Sequence, residues 1–248
     1  MPKGARRLLL RRLLTLARRA LLMWCLWHTA AMAQDRIISA QYEAPTTRYA
    51  HAVLGDNIEY GKLTVTLASG TVRSFVLPQT SVFEDTAPRL VDLDGDSRPE
   101  VVTVEADQSR GARLAIYGSE GRITATPYIG TRFRWLAPVG AADLDGDGRI
   151  EIAYVDRPHL AKTLRIWRFE DAALTQIATF AGVSNHRIGE VDIAGGMRLC
   201  GDDPEMILAN ANWTSLLALQ FQRGQIAARD IGKDTSRSAF AAAMSCAD

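Results

Sequence analysis

The sequence predicts an all-β fold, a small β-propeller of about four four-stranded blades. Three observations predict it. Alternating apolar segments begin at Leu63, Leu114, Leu164 and Leu217, separated by 51, 50 and 53 residues. The motif Asp92-Leu-Asp94-Gly-Asp96-Ser-Arg98-Pro-Glu100 returns 51 residues later as Asp143-Leu-Asp145-Gly-Asp147-Gly-Arg149-Ile-Glu151. No amphipathic helical period lasts beyond a turn or two. Four short strands in every period of roughly 50 residues fit sheets repeated around an axis. A five-bladed or imperfect ring fits the same count. A β-sandwich with metal loops is the competing fold, and it does not explain the period.

Residues 1–33 read as a signal peptide preceding one domain at 34–248. Lys3, Arg6, Arg7, Arg11, Arg12, Arg18 and Arg19 stand without a single acid. Residues 20–26 are apolar, and Ala31-Met32-Ala33 has the small-x-small form of a cleavage site, so processing is expected after Ala33. The apolar run is shorter than the roughly 20 residues that cross a bilayer, so no membrane span is expected in the mature chain. Arg18-Arg19 gives weak support for twin-arginine export beside the ordinary secretory route. The leader holds seven of the 29 basic residues and none of the 28 acids, leaving 22 against 28. A mildly acidic domain is not a general nucleic-acid binder. Its size suits one well-buried core, and we read it as a monomer. Cys200 and Cys246 remain after cleavage, and an even pair in an exported chain predicts a disulfide.

The units can be taken in order. In the first, residues 50–54 form an approach strand. Asp56 and Glu59 keep acids without the full motif, and residues 63–67 and 72–77 form a hairpin across Ala68-Ser69-Gly70. The second unit has strands at 89–91, 100–104, 114–116 and 123–128, and the third has them at 136–142, 151–155 and 164–166. The fourth has an approach strand at 188–193, an insertion at 194–203, and strands at 205–208, 217–221 and 225–230. Residues 37–43 alternate and are placed beside the last unit, closing the ring.

Carboxylates at positions 1, 3, 5 and 9 of a loop repel one another unless a cation neutralises them. Calcium, which takes six to eight oxygens, suits them best. Gly146 and Gly148 permit the turn. The expected ligands are Asp92, Asp94, Asp96 and Glu100 with the backbone carbonyl of Arg98, and Asp143, Asp145, Asp147 and Glu151 with that of Arg149. An EF-hand would need an acid at position 12, where Thr103 and Tyr154 stand, and helices where these residues read as strands. Two Asp-Gly turns without metal are the alternative. We expect two structural calcium sites. No nucleophile, metalloprotease or nucleotide motif is present in the sequence. Basic and aromatic residues recur just before each approach strand. His51, Arg89, Arg134, Trp135, His186 and Arg187 are therefore candidates for an anionic or sugar-like ligand at one mouth of the channel. The alternative is that they pack that mouth and pair with Glu84, Asp85 and Glu190.

The two acidic loops, each leading into a β-strand, resemble those of the FG-GAP/VCBS repeat. The chain resembles small exported Gram-negative proteins that carry this repeat. The resemblance implies a calcium-stabilised propeller, periplasmic or secreted. It implies a non-enzymatic binding or assembly module for a protein or carbohydrate ligand. An enzyme acting on a polysaccharide or phosphoester at the channel mouth is the alternative.

Overall fold

The structure is a computed structural model that describes residues 36–246; the signal peptide and cleavage site expected at residues 1–33 lie outside the described residues. Seventeen strands and one helix are described, and every paired strand is antiparallel. The second unit is β4 (Ser81–Phe83), β5 (Arg89–Val91), β6 (Glu100–Asp107), β7 (Gly111–Gly118) and β8 (Gly121–Ala125). The third is β9 (Leu136–Ala142), β10 (Glu151–Asp156), β11 (Thr163–Glu170) and β12 (Ala173–Ala181). The fourth is β13 (Val183–Ser184), β14 (Gly196–Arg198), β15 (Glu205–Asn210), β16 (Leu216–Gln222) and β17 (Gln225–Gly232).

One plan recurs. The third unit has the order β12-β11-β10-β9. Its edge strand β9 pairs along the whole of β10, from Leu136 opposite Asp156 to Ala142 opposite Glu151. In the second unit this strand is split: β4 pairs one end of β6 and β5 the other. The fourth unit is split likewise, with β13 and β14 on the two ends of β15. Residues 188–193, expected as a strand, are instead part of the loop that divides them. Gly189 lies at φ 86°, and Ile188 and Val191 are 72% and 74% exposed, so this run has no sheet to bury it.

The first unit departs most from expectation. β1 (Ile37–Thr46) pairs with β2 (Glu59–Leu67), and β3 (Val72–Val76) lies on the other side of β2. The strand at 37–43 is thus the first unit's second strand and does not complete the last unit. Residues 50–54 form no strand. They belong to the long connection between β1 and β2, where Ala52 takes φ 55° and Tyr49 and Val53 turn into the core. Asp56 therefore sits in a strand connection and has no place equivalent to the acidic loops. β4 pairs with both β2 and β6, so the first two units share one eight-stranded sheet. The fourth unit meets the first through loops, where the Gly189 N–H donates to the Val53 carbonyl at 3.1 Å.

The cores lie between successive units, as stacked sheets require. Leu63, Val65, Phe83, Val101 and Tyr117 fill the first interface. Val104, Leu114, Ile116, Leu136, Ile152 and Tyr154 fill the next. Val155, Leu164, Ile166, Met206, Leu208 and Leu219 fill the third. The central strands β6 and β10 are buried along their entire length, which explains why apolar residues occupy both faces of each. A short helix, α1 (Arg237–Met244), packs Phe240 and Ala243 against Ile207, Leu216 and Ala218. Cys200 and Cys246 form the expected disulfide beyond it.

Candidate metal loops and the histidine cluster

The two acidic loops fold alike. Gly95 and Gly146, at φ 76° and 75°, donate to Oδ1 of the first aspartate, Asp92 or Asp143, at 2.9 and 2.8 Å. Ser97 and Gly148 donate to its Oδ2 at 3.0 and 2.9 Å. Arg98 and Arg149 donate backbone N–H groups to Asp96 and Asp147 at 2.7 and 3.0 Å. Glu100 and Glu151 each accept from the backbone N–H of the loop's leucine, Leu93 or Leu144, at 2.9 Å. Backbone donors thus hold the acids in one cluster despite their charge.

The loops differ in which oxygens converge. Those of Asp92, Asp94 and Asp96 lie within 4.8 Å of one another in the first loop, and those of Asp143, Asp145 and Glu151 in the second. Burial pushes the Glu100 carboxyl up to about 7. Burial also raises Glu151, against the Leu144 N–H and the Arg168 guanidinium. Oδ1 of Asp145 is buried without a partner among the described residues. An oxygen cluster with one orphaned acceptor fits a hard cation, and a thiophilic metal would find no sulfur there. Arg168 was not legible as part of this site, because it enters across the sheet from β11.

Most of the residues proposed for a ligand gather at the opposite end of the strands. His51 Nδ1 lies 2.5 Å from Glu84 Oε1. Burial and the neighbouring Asp85 push Glu84 well above the carboxylate range, while burial and Arg134 hold His51 down at about 4. Burial thus disfavours the charged form of each partner in this contact. His159 Nε2 lies 3.1 Å from His186 Nδ1, and His186 Nε2 lies 2.9 Å from the Glu190 carbonyl. Trp135 meets the His186 ring edge-on, and Phe133 stacks on His51. Arg134 lines a small cavity with His51, Trp135 and His159.

Arg89 and Arg187 are engaged elsewhere. Arg89 forks onto Asp85 at 2.7 and 3.1 Å. Arg187 lies over the Trp213 ring and 3.7 Å from Glu190. The partners are those the packing alternative names: Glu84, Asp85 and Glu190. His159, which is not among the sequence candidates, follows Pro158 in the turn after β10. Asp156 and Pro158 are buried there. The turn delivers His159 to His186.

The family model of the FG-GAP-like repeat matches residues 92–154, both acidic loops included. No curated protein sequence matches the chain. Among solved structures, the chain is similar to the exotype rhamnogalacturonan lyase YesX, at 15% identity and a TM-score of 0.43 over 69% of this chain and 41% of that one. It is also similar to the fission yeast SREBP-SCAP binding domains, at 8% identity and a TM-score of 0.32 over 72% of this chain and 46% of that one. A third is the V. cholerae biofilm matrix protein Bap1, at 14% identity and a TM-score of 0.27 over 72% of this chain and 32% of that one. The chain spans less than half the length of each. No helix among the described residues is long and apolar enough to cross a membrane. Residues 92–154 carry an FG-GAP-like repeat, set within an all-β, propeller-like array of antiparallel sheets.

Proposed function

We propose that the protein is an exported, non-catalytic binding or assembly module whose acidic loops hold calcium as a structural ion. The observation that carries this reading is the duplicate loop geometry: two nine-residue motifs close with the same backbone bonds and aim their carboxylates inward. Asp92, Asp94, Asp96, Glu100 and the Arg98 carbonyl hold one ion. Asp143, Asp145, Asp147, Glu151 and the Arg149 carbonyl hold the other. The ion neutralises the acids and fixes the turn between the first two strands of each unit. The Cys200–Cys246 disulfide supports an oxidising compartment, periplasmic or extracellular, as does the leader read at residues 1–33. A protein or carbohydrate partner binds at the end where the loops leave Phe133, Leu160, Ile188 and Val191 exposed.

Thermal unfolding with excess EGTA and with millimolar calcium tests the structural role. A site held at 100 times its Kd adds about 2.7 kcal/mol. A melting temperature that does not move between the two conditions would overturn it.

A further inference from the structure

We infer that Arg168 is a built-in counter-cation that occupies the second acidic loop, so that the two loops bind a divalent cation with very different affinity. This rests on the calcium reading above. The guanidinium reaches three of the loop's four carboxylates. Its Nε lies 2.6 Å from Glu151 Oε1, its Nη2 2.9 Å from Asp145 Oδ2 and its Nη1 3.0 Å from Asp147 Oδ2. Neither end of the contact is loosely held: the Glu151 side chain is 0% exposed and that of Arg168 is 16% exposed.

Strand register explains why one loop has this arginine and the other does not. On β10 and β11, Glu151 stands directly opposite Arg168. On β6 and β7, Val101 stands opposite Tyr117, which puts Gly118 across from Glu100. Glycine sends nothing into the first loop. A cavity of about 440 Å³ opens there instead, lined in part by Asp94, Asp96, Glu100 and Gly118. The nearest cation, Arg98, pairs with Asp96 alone and is 46% exposed. Such a pair is weak and easily exchanged.

The fourth unit completes the series. Its loop has lost the aspartate spacing, and Glu205, the residue equivalent to Glu100 and Glu151, is held by arginines. Arg198 Nε and Nη2 lie 2.9 and 2.7 Å from Glu205 Oε2, and Arg229 Nη2 lies 3.1 Å from Oε1. The three units thus present an open acidic loop, an acidic loop with an arginine in it, and an arginine site without the acidic loop. A guanidinium and a metal ion compete for the same oxygens. In the second loop the ion must displace two charge-assisted hydrogen bonds and a third ion-pair contact; in the first it displaces one exposed pair. The buried, unpartnered Oδ1 of Asp145 marks what Arg168 leaves unsatisfied.

Native mass spectrometry and calorimetric titration with calcium chloride test the inference on the folded chain. The wild type should show one tight site and a second at least about tenfold weaker, since each tenfold step is only 1.4 kcal/mol. Asp94→Asn should remove the tight site. Arg168→Gln should strengthen the weak one by about tenfold or more. Two wild-type sites of equal affinity, unmoved by Arg168→Gln, would overturn the inference and leave the calcium reading intact. No ion bound by either the wild type or Arg168→Gln would overturn the calcium reading itself. Should Arg168→Gln fail to fold, Gly118→Arg decides. The new Cβ meets only the side chain of Ile123, and the substitution puts a guanidinium on the residue opposite Glu100. Loss of the tight site supports the inference, and an unchanged tight site refutes it.

Discussion

Trp135 donates its indole N–H to the backbone carbonyl of Glu84 across 2.8 Å, in a fully buried setting. The bond ties the start of the third unit to the gap in the split edge strand of the second. Trp135→Phe keeps a ring beside His186 but orphans that carbonyl. An unsatisfied buried acceptor costs about 1–3 kcal/mol. For a domain of this size, each kcal/mol lowers the melting temperature by roughly 2–4 °C. Calorimetry should therefore show a clear drop; a fall of under about 1 °C would mean that water replaces the indole.

The histidine cluster predicts acid sensitivity. Burial lowers His51 and His159 to about 4 from an ordinary value of 6.5. Above pH 6.5 both are neutral folded or unfolded and contribute nothing to pH dependence. As pH falls from 6.5 towards 4, the unfolded chain takes up protons that the folded chain refuses, and stability declines. His186 shifts in the same direction, also through burial. Glu59, which burial raises to about 9, acts in the opposite sense, losing stability as pH rises above 4.5. A variant comparison isolates the histidine. The stability of the wild type relative to His159→Gln should fall between pH 7.5 and pH 5 by on the order of 1–2 kcal/mol, allowing for solvent screening. A difference that stays constant with pH would show that His159 titrates normally.

The disulfide predicts a redox effect. It closes a separation of 46 residues, from the loop before β15 to the end of α1. The chain-entropy model assigns such a loop about 4 kcal/mol. Cys200→Ser with Cys246→Ser should lower stability by up to that amount. Exchange protection should be lost first in α1, because only Phe240 and Ala243 of that helix are deeply buried. Hydrogen exchange of the oxidised and doubly substituted proteins would check it. Equal protection of α1 in both would place the effect elsewhere.

Much of this architecture is legible in the sequence, for a physical reason. The hairpins β7–β8, β11–β12 and β16–β17 are local, so alternation and turn residues specify them. The acidic loops are equally local, as their backbone N–H hydrogen bonds span five residues or fewer apart from those to the glutamates. What was not legible depends on partners distant in sequence. The alternation of residues 37–43 declares a strand but does not say that β2 is its partner. β4 is three residues long, too short for a period, yet it joins two units. Arg168 is placed by cross-strand register 17 residues from Glu151. Helix α1 spans little more than two turns and shows itself only through its Ser236 cap, which accepts from Ala239 N–H at 3.2 Å.

The last prediction concerns the left-handed position that the two acidic loops fill with different residues. Ser97 stands at φ 66° where its counterpart Gly148 stands at 85°. Each supplies the N–H that reaches Oδ2 of the first aspartate, so neither can leave the left-handed region without losing that bond. A residue with a Cβ pays roughly 1–2 kcal/mol there. Glycine's greater unfolded-state freedom returns about 0.5–1 kcal/mol of that difference. Ser97→Gly should therefore stabilise the protein slightly, by about 0.5 kcal/mol, and Gly148→Ser should destabilise it by a similar or larger amount. No atom lies within 4 Å of a Cβ built at Gly148, so steric conflict does not confound the comparison. Urea unfolding of both variants in EGTA reads the backbone effect alone. If both substitutions destabilise, the Ser97 hydroxyl contributes more than its backbone strain costs, and the two loops are tuned by side chains more than by conformation.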